Sequence, residues 1–304
     1  MNDLIVIAGP TATGKTGTAV QLAKLMDTEI VSADSMQVYK FMDIGTAKVT
    51  EEEMQGVPHH MLDVISPMEN YNLNDYSCDA NRCIDEIIKK GKTPIICGGT
   101  GLYINSVIYN FNLTEATGDP KLREELTGIY EKQGGEYLLS ELRKFDPETA
   151  DRLHPNNSRR VIRAIEMYKT SGITMSEQIR ITNESKNKYN LKFFCLNMDR
   201  KRLYDRIDKR VDIMVKNGLV GEVERLMEMG ISKNSTAMQA IGYKEIIKYK
   251  EAEISLDEAI GTIKMESRRY AKRQLTWFRR DKNIKWIDVE EGNILHKIEG
   301  NNYG

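Results

Sequence analysis

Gly9-Pro10-Thr11-Ala12-Thr13-Gly14-Lys15-Thr16 follows the apolar run Leu4-Ile5-Val6-Ile7-Ala8 and fits the pattern Gly-x4-Gly-Lys-[Ser/Thr] position for position. Glycines at the two ends let the backbone bend so that successive N–H groups point inward as an anion nest. A helix starting near Lys15 adds the positive end of its dipole. Lys15 can then reach an outer phosphate, and the Thr16 hydroxyl can ligate Mg²⁺. Such a loop binds a polyphosphate or a pyrophosphate. It does not say what the phosphate is attached to, because kinases, NTPases and enzymes that hold a diphosphate leaving group all use it.

Asp34 is the second residue type with chemistry to offer, within Val31-Ser32-Ala33-Asp34-Ser35-Met36-Gln37-Val38-Tyr39. A carboxylate at the carboxyl end of a strand can bind a substrate donor, hold Mg²⁺ through water or accept a proton, while a helix N-cap is the plain alternative. The next strand ends in Gly98-Gly99 and lacks the terminal Asp with which most NTP hydrolases hold their metal. Arg159 and Arg163 follow His154-Pro155-Asn156-Asn157-Ser158 and share a helix face, as do Arg206 and Arg210 further on. Each is either a phosphate clamp or a partner in structural pairs, with Asp208 and Asp212 at hand for the second pair. Between Lys264 and Lys285 a basic block embeds Trp277 and Phe278, which suits either a polyanion or a solvated helix face. His59 and His60 read as a polar loop pair. Cys78, Cys83, Cys97 and Cys195 show neither a disulfide framework nor zinc spacing.

These residues need a scaffold, and the pattern supplies one. Strand signals at Leu4–Ala8, Glu29–Ser32 and Thr93–Cys97 alternate with helical ones at Thr16–Leu25 and Leu73–Ile88. This predicts an α/β fold, a P-loop-containing parallel sheet with helices on both faces and ligands at the carboxyl ends of the strands. From Asn112 to about Lys186 the chain turns polar and helical, broken at Gly118-Asp119-Pro120, Gly134-Gly135, Asp146-Pro147 and His154-Pro155. We expect a helical insertion domain over 112–186 carried by a core of 1–111 and 187–304. The core resumes with a strand at Leu191–Leu196. Helices follow over Lys201–Asn217, Val220–Met229, Met238–Tyr249 and Ser255–Phe278, with a last strand near Ile284–Asp288.

The 304 residues carry 40% hydrophobic and 29% charged side chains with a net charge of −1, so nothing global announces nucleic acid. No apolar run approaches the ~18 residues of a membrane span and no leader pattern opens the chain, so a cytoplasmic protein without a membrane partner is expected. With no apolar stripe left over, a monomer is expected.

The blocks GPTATGKT (9–16), DSMQVYKFMDIGTAK (34–48), PHHMLD (58–63), GGTGLY (98–103), HPNNSRRVIRAIE (154–166), RIDKRVDIMV (206–215), AIGYKE (240–245) and RRYAKRQLTWFRR (268–280) resemble, in order, the tRNA dimethylallyltransferase family. The resemblance implies transfer of a dimethylallyl group from dimethylallyl diphosphate to N6 of adenosine 37 in tRNAs reading codons that begin with U. It implies that Gly9, Thr11, Ala12, Thr13, Gly14, Lys15 and Thr16 grip the diphosphate with Mg²⁺ at Thr16. Lys15, Arg210 and Thr13 would assist the departing diphosphate and Asp34 would take the N6 proton. Asp34, Ser35, Met36 and Gln37 would hold the flipped-out base. Thr100, Arg123, Asn156, Asn157, Ser158, Arg159, Arg160, Arg163, Ala240, Ile241, Gly242, Tyr243, Lys244 and Glu245 would line the tRNA path, with the insertion on the anticodon stem-loop and its arginines outside structural pairs. The chain lacks the Cys/His ligands of the zinc finger in eukaryotic relatives, so it resembles the bacterial form and no zinc is expected. Two rivals stand beside this reading. A small-molecule kinase of the shikimate or nucleoside monophosphate type also pairs such a loop with an Asp after the second strand, and would bind ATP, but leaves the insertion and the basic helix unused. A nucleic-acid-binding switch driven by nucleotide hydrolysis is disfavoured by the missing third-strand Asp.

Overall fold

The computed structural model describes residues 1–109, 119–184 and 188–300. They fall into two compact units, one of 1–108 with 188–304 and one of 109–187. The ends of the expected insertion, near 112 and 186, lie outside the described residues.

In the larger unit the chain runs β1 (Asp3–Ala8), α1 (Lys15–Leu25), β2 (Ile30–Ala33), α2 (Glu51–Met54), β3 (His59–His60), α3 (Leu73–Lys89), β4 (Ile95–Gly98) and α4 (Gly101–Ile108). The smaller unit contributes α5 (Pro120–Arg143), α6 (Pro147–Arg152), α7 (Ser158–Ser171) and α8 (Met175–Glu184). The larger unit then resumes with β5 (Asn190–Asn197), α9 (Arg200–Lys216), α10 (Leu219–Glu228), α11 (Tyr243–Lys250), α12 (Leu256–Phe278), β6 (Lys285–Asp288) and α13 (Ile294–Gly300).

The strands form one sheet in the order β3-β2-β4-β1-β5-β6, with every pairing parallel. Both faces are covered, as a parallel sheet requires. Because side chains alternate along a strand, Ile5, Ile7, Ile30, Ile95, Phe194 and Leu196 share a face and pack with Ala19, Val20, Leu22 and Ala23 of α1 and Ile298 of α13. On the other face the Tyr76 hydroxyl donates to the Ser32 carbonyl, Tyr76 stacks on Tyr103, and Phe193 meets Phe278 edge-on. Burial of apolar side chains on both faces, at about 1.5–3 kcal/mol each, holds the strands in register so that polar residues emerge at their ends.

Two expectations need correction here, and one open reading is narrowed. His59 and His60 are not loop residues but the edge strand β3, paired to Ile30 and Val31; two residues are too few for a period to register. The helix expected from Met238 begins only at Tyr243, because Gly242 holds φ at +100° and its N–H is capped by Glu245. Trp277 and Phe278 face inward: Phe278 is buried, and the Trp277 ring lies where a Cβ on Gly101 would sit 2.2 Å away. The aromatics of the basic block are therefore packing groups.

The smaller unit closes its own core around Leu126, Leu138, Leu142, Val161 and Ile165. Gly134, at φ +81°, kinks α5, and Gly135 lets the Pro155 carbonyl approach to 2.2 Å of where a Cβ would stand. At its centre Glu166 is fully buried and accepts from Arg123 at 2.8 and 3.1 Å and from Arg163 at 2.9 Å. The expectation that these two arginines lie outside structural pairs is thus corrected. Arg159 and Arg160 are exposed and, among the described residues, form no ion pair. Replacing Arg123 and Arg163 together by Ala strands a buried carboxylate and should cost about 3–5 kcal/mol of this unit's stability. Replacing Arg159 and Arg160 should stay within about 0.5 kcal/mol. Chemical denaturation of the two double variants checks both, and equal costs would refute the distinction.

Candidate active site

Past the end of β1, Gly9 adopts φ +146°, and a Cβ there would lie 2.6 Å from the Leu196 carbonyl oxygen. Only glycine lets the loop pass that close to β5. Ala12 and Gly14 also hold positive φ, and α1 starts at Lys15 with no side-chain cap. Its first N–H groups are thereby left for an external acceptor, the arrangement that favours an anion.

A cavity of about 410 Å³ opens at these strand ends. Thr11, Lys15 and Thr16 line it from the loop, Asp34, Ser35, Met36 and Gln37 from the turn after β2, and Gly98 and Gly99 from β4. Arg210 and Met214 enter from α9, one turn apart, Ala240, Ile241 and Gly242 from the turn before α11, and Tyr243 and Lys244 from its first turn. Thr13 does not line it. Its hydroxyl is buried and donates to the Pro10 carbonyl at 2.8 Å, so it braces the loop.

Lys15 and Arg210, which reach into this cavity from the phosphate loop and α9, have no carboxylate within ion-pair distance among the described residues. The Lys15 ammonium donates to the Pro10 carbonyl at 2.8 Å. Burial pulls its pKa below the ordinary value and Arg210 adds to this, against the opposing pull of Asp34. Arg210 donates to the Thr11 hydroxyl at 3.1 Å and the Ala47 carbonyl at 3.3 Å, with burial again lowering its pKa. The acids at hand for Arg206 and Arg210 in a structural pairing are taken by α12 instead: Asp208 binds Arg268 and Asp212 binds Lys264, each at 2.6 Å. Lys15 and Arg210 are both half-buried; partly desolvated charge without a counter-charge is costly, and an anion in the cavity would relieve it.

Asp34 sits in a turn and caps no helix. Its Oδ1 accepts the N–H groups of Met36 at 2.9 Å and Gln37 at 3.4 Å, which aims the residue across the cavity from the phosphate loop. Thr100 stands behind this turn, its hydroxyl accepting the Ser35 N–H at 3.1 Å. A Mg²⁺ ion fits the donors present. Among the described residues no three acidic, His or Cys side chains gather as a metal cage, whereas the exposed Thr16 hydroxyl at the cavity suits an ion that shares its shell with phosphate oxygens and water.

Sequence reasoning missed the contribution of α12. Ile263, Ser267, Tyr270 and Gln274 repeat at helical spacing and line the cavity, so the period alone held the signal. Gln274 is buried, accepts the Thr11 N–H at 3.0 Å and donates to the Gly99 carbonyl at 2.9 Å. A Cβ on Gly99 would lie 2.2 Å from its amide nitrogen. Burial pushes the Tyr270 phenol up to about 12, Asp34 adding to it. His59 also lines the cavity; its Nδ1 is 2.9 Å from the Val57 carbonyl and burial lowers its pKa. The insertion residues Asn156, Asn157, Ser158, Arg159 and Arg160 surround the start of α7, where Asn157 provides no side-chain cap.

The model of the IPP transferase family matches residues 37–281, beginning beyond the phosphate loop. The chain belongs to the IPP transferase family. It is 51% identical to the tRNA dimethylallyltransferase of Carboxydothermus hydrogenoformans, over 94% of this chain and 91% of that one. With the tRNA dimethylallyltransferase of Bacillus anthracis it shares 49% identity over 97% and 95% of the two chains. Among solved structures it resembles the tRNA isopentenylpyrophosphate transferase of Bacillus halodurans, with a TM-score of 0.74 and 46% identity over 99% and 94%. It also resembles a eukaryotic dimethylallyltransferase acting on tRNA, with a TM-score of 0.82 and 30% identity over 98% of this chain and 77% of that one. No helix among the described residues of this family member is long and apolar enough to cross a membrane.

Proposed function

We propose that this chain transfers a dimethylallyl group from dimethylallyl diphosphate to N6 of adenosine 37 in tRNAs reading codons that begin with U, releasing diphosphate. The observation that carries this reading is the pair of carboxylate-free cations, Lys15 and Arg210, facing Asp34 in one cavity. The N6 lone pair attacks C1 of the prenyl donor and the C1–O bond breaks with its electrons going to diphosphate. The N6 proton passes to Asp34. Lys15, Arg210 and the open N–H groups at the start of α1 stabilise the charge that develops on the leaving oxygens. Mg²⁺ held at Thr16 supplies further charge neutralisation to the diphosphate when bound. Gln37, with the turn from Asp34, holds the adenine taken out of its stack. Four incubations test this: purified protein with ATP, with dimethylallyl diphosphate, and with each plus tRNA. Only the prenyl donor with tRNA should yield a modified base and diphosphate, and phosphate transfer from ATP to a small acceptor would favour the kinase instead.

We assign the anticodon stem-loop to the insertion through Arg159 and Arg160, the exposed arginines at the uncapped start of α7, with Asn156 and Asn157 beside them. Arg269 is tied to Glu266 at 2.6 Å, while Lys272, Arg273, Arg279 and Arg280 on and just after α12 are exposed and suit further backbone contacts. Replacing Arg159 and Arg160 by Ala should weaken tRNA binding and flatten its salt dependence by about 0.7–0.9 in log–log slope for each phosphate that an arginine no longer neutralises. Filter binding across a salt series reads this, and an unchanged slope in a folded variant would move the tRNA contact elsewhere.

A further inference from the structure

We propose that Glu222, in the first turn of α10, is a positioning residue that holds the acceptor wall of the cavity and, through it, Gln37 and Arg210. Glu222 is 2% exposed, and its carboxylate gathers four donors from two distant segments. Oε2 accepts the N–H groups of Asp43 at 2.9 Å and Ile44 at 2.7 Å. Oε1 accepts the Gly45 N–H at 3.0 Å and the Tyr243 hydroxyl at 2.6 Å. Three consecutive amides closing on one carboxylate fix the course of the loop after Met42.

That loop is where the site residues anchor. The Gln37 amide nitrogen donates to the carbonyls of Thr46 at 3.2 Å and Ala47 at 3.3 Å, and Arg210 donates to the same Ala47 carbonyl at 3.3 Å. Glu222 therefore stands one layer behind the side chain assigned to the adenine and the one assigned to the leaving group, touching neither substrate. The loop is also pressed on Tyr243, since a Cβ on Gly45 would lie 2.5 Å from the ring. Only a carboxylate suits the position: all four neighbours are donors, and an amide would turn an NH₂ group toward some of them. The proposal rests on the functional reading above for its effect on turnover, but the loop anchorage stands by itself.

Glu222→Gln tests it, with Gly45→Ala as a second variant that displaces the loop from Tyr243 and leaves the carboxylate in place. Misplacing positioned groups by about 1 Å can cost on the order of 10²-fold in rate, so both variants should lose about 10- to 100-fold in kcat. The KM for tRNA should stay within about threefold, because the distant backbone contacts are untouched. Amide hydrogen exchange should speed up at Asp43, Ile44 and Gly45 in Glu222→Gln, and binding of inorganic pyrophosphate, which needs Arg210 in place, should weaken about tenfold in both, a tenfold change being the usual consequence of disturbing an outer-layer partner. Wild-type kcat and pyrophosphate affinity in folded Glu222→Gln would overturn the proposal. If that variant does not fold, the same wild-type values in Gly45→Ala overturn it. Should the parent protein form no prenylated tRNA, the functional reading fails, and the exchange and pyrophosphate measurements still decide the role of Glu222.

Discussion

Asp34→Asn should reduce prenyl transfer by about 10²- to 10⁴-fold, the range by which a positioned general base accelerates a reaction, while tRNA affinity stays within a few fold. Asn is the informative replacement because Oδ1 of Asp34 has a second task, accepting the N–H groups of Met36 and Gln37. An amide oxygen keeps that turn and so keeps Ser35, Met36 and Gln37 in the cavity, but it cannot take up a proton. Asp34→Ala removes both functions and should be at least as impaired. Single-turnover measurement at saturating donor separates the chemical step from product release. Turnover near wild type in Asp34→Asn would remove the base assignment and leave Asp34 as a turn former.

The two substitutions also illustrate how far the sequence carries. The phosphate loop is legible because its function depends on backbone bends at Gly9 and Gly14 and on a helix start, all written within eight residues. The parallel sheet is legible for the same local reason, since alternating strand and helix periods need no knowledge of the partner. Partner choice is another matter. Asp208 and Asp212 lie beside Arg206 and Arg210 in sequence, yet a helix projects neighbours in different directions, and α12 supplies the arginine and lysine they bind. Nothing local in the sequence sets Glu166 or Glu222 apart from other helical carboxylates, and only the approach of Arg123 in one case and of the loop after Met42 in the other accounts for their burial. His59 and Gln274 reach the cavity through β3 and α12, whose placement depends on pairing and packing far along the chain. What the sequence conceals is tertiary juxtaposition, and the outer layer of the site consists of little else.

Lys15→Met should impair turnover and pyrophosphate binding while leaving the fold as stable as before or more so. The opposite signs follow from one fact, that the Lys15 ammonium is sunk in the cavity with a carbonyl as its hydrogen-bond partner and Arg210 nearby. Its folded pKa lies below the unfolded value near 10.5, so the folded state holds this proton less tightly than the unfolded one. The resulting penalty on stability is fully present below the depressed pKa and fades as pH rises toward the ordinary value. A methionine of similar length removes that penalty at neutral pH. It also removes a charge that meets the developing negative charge on the leaving diphosphate, a loss of about 10²- to 10³-fold in kcat when a single such group is deleted. Arg210→Ala should show a kinetic loss of the same order, because its guanidinium faces the same cavity and is likewise held by neutral oxygens, those of Thr11 and Ala47. Thermal unfolding with and without inorganic pyrophosphate reads both halves of the prediction. The parent protein should gain stability with the ligand, as binding to the native state alone requires, and Lys15→Met should start at an equal or higher midpoint and gain little. A midpoint well below the parent's, with pyrophosphate still stabilising the variant, would mean that Lys15 holds the loop together and that the diphosphate is gripped by the remaining groups.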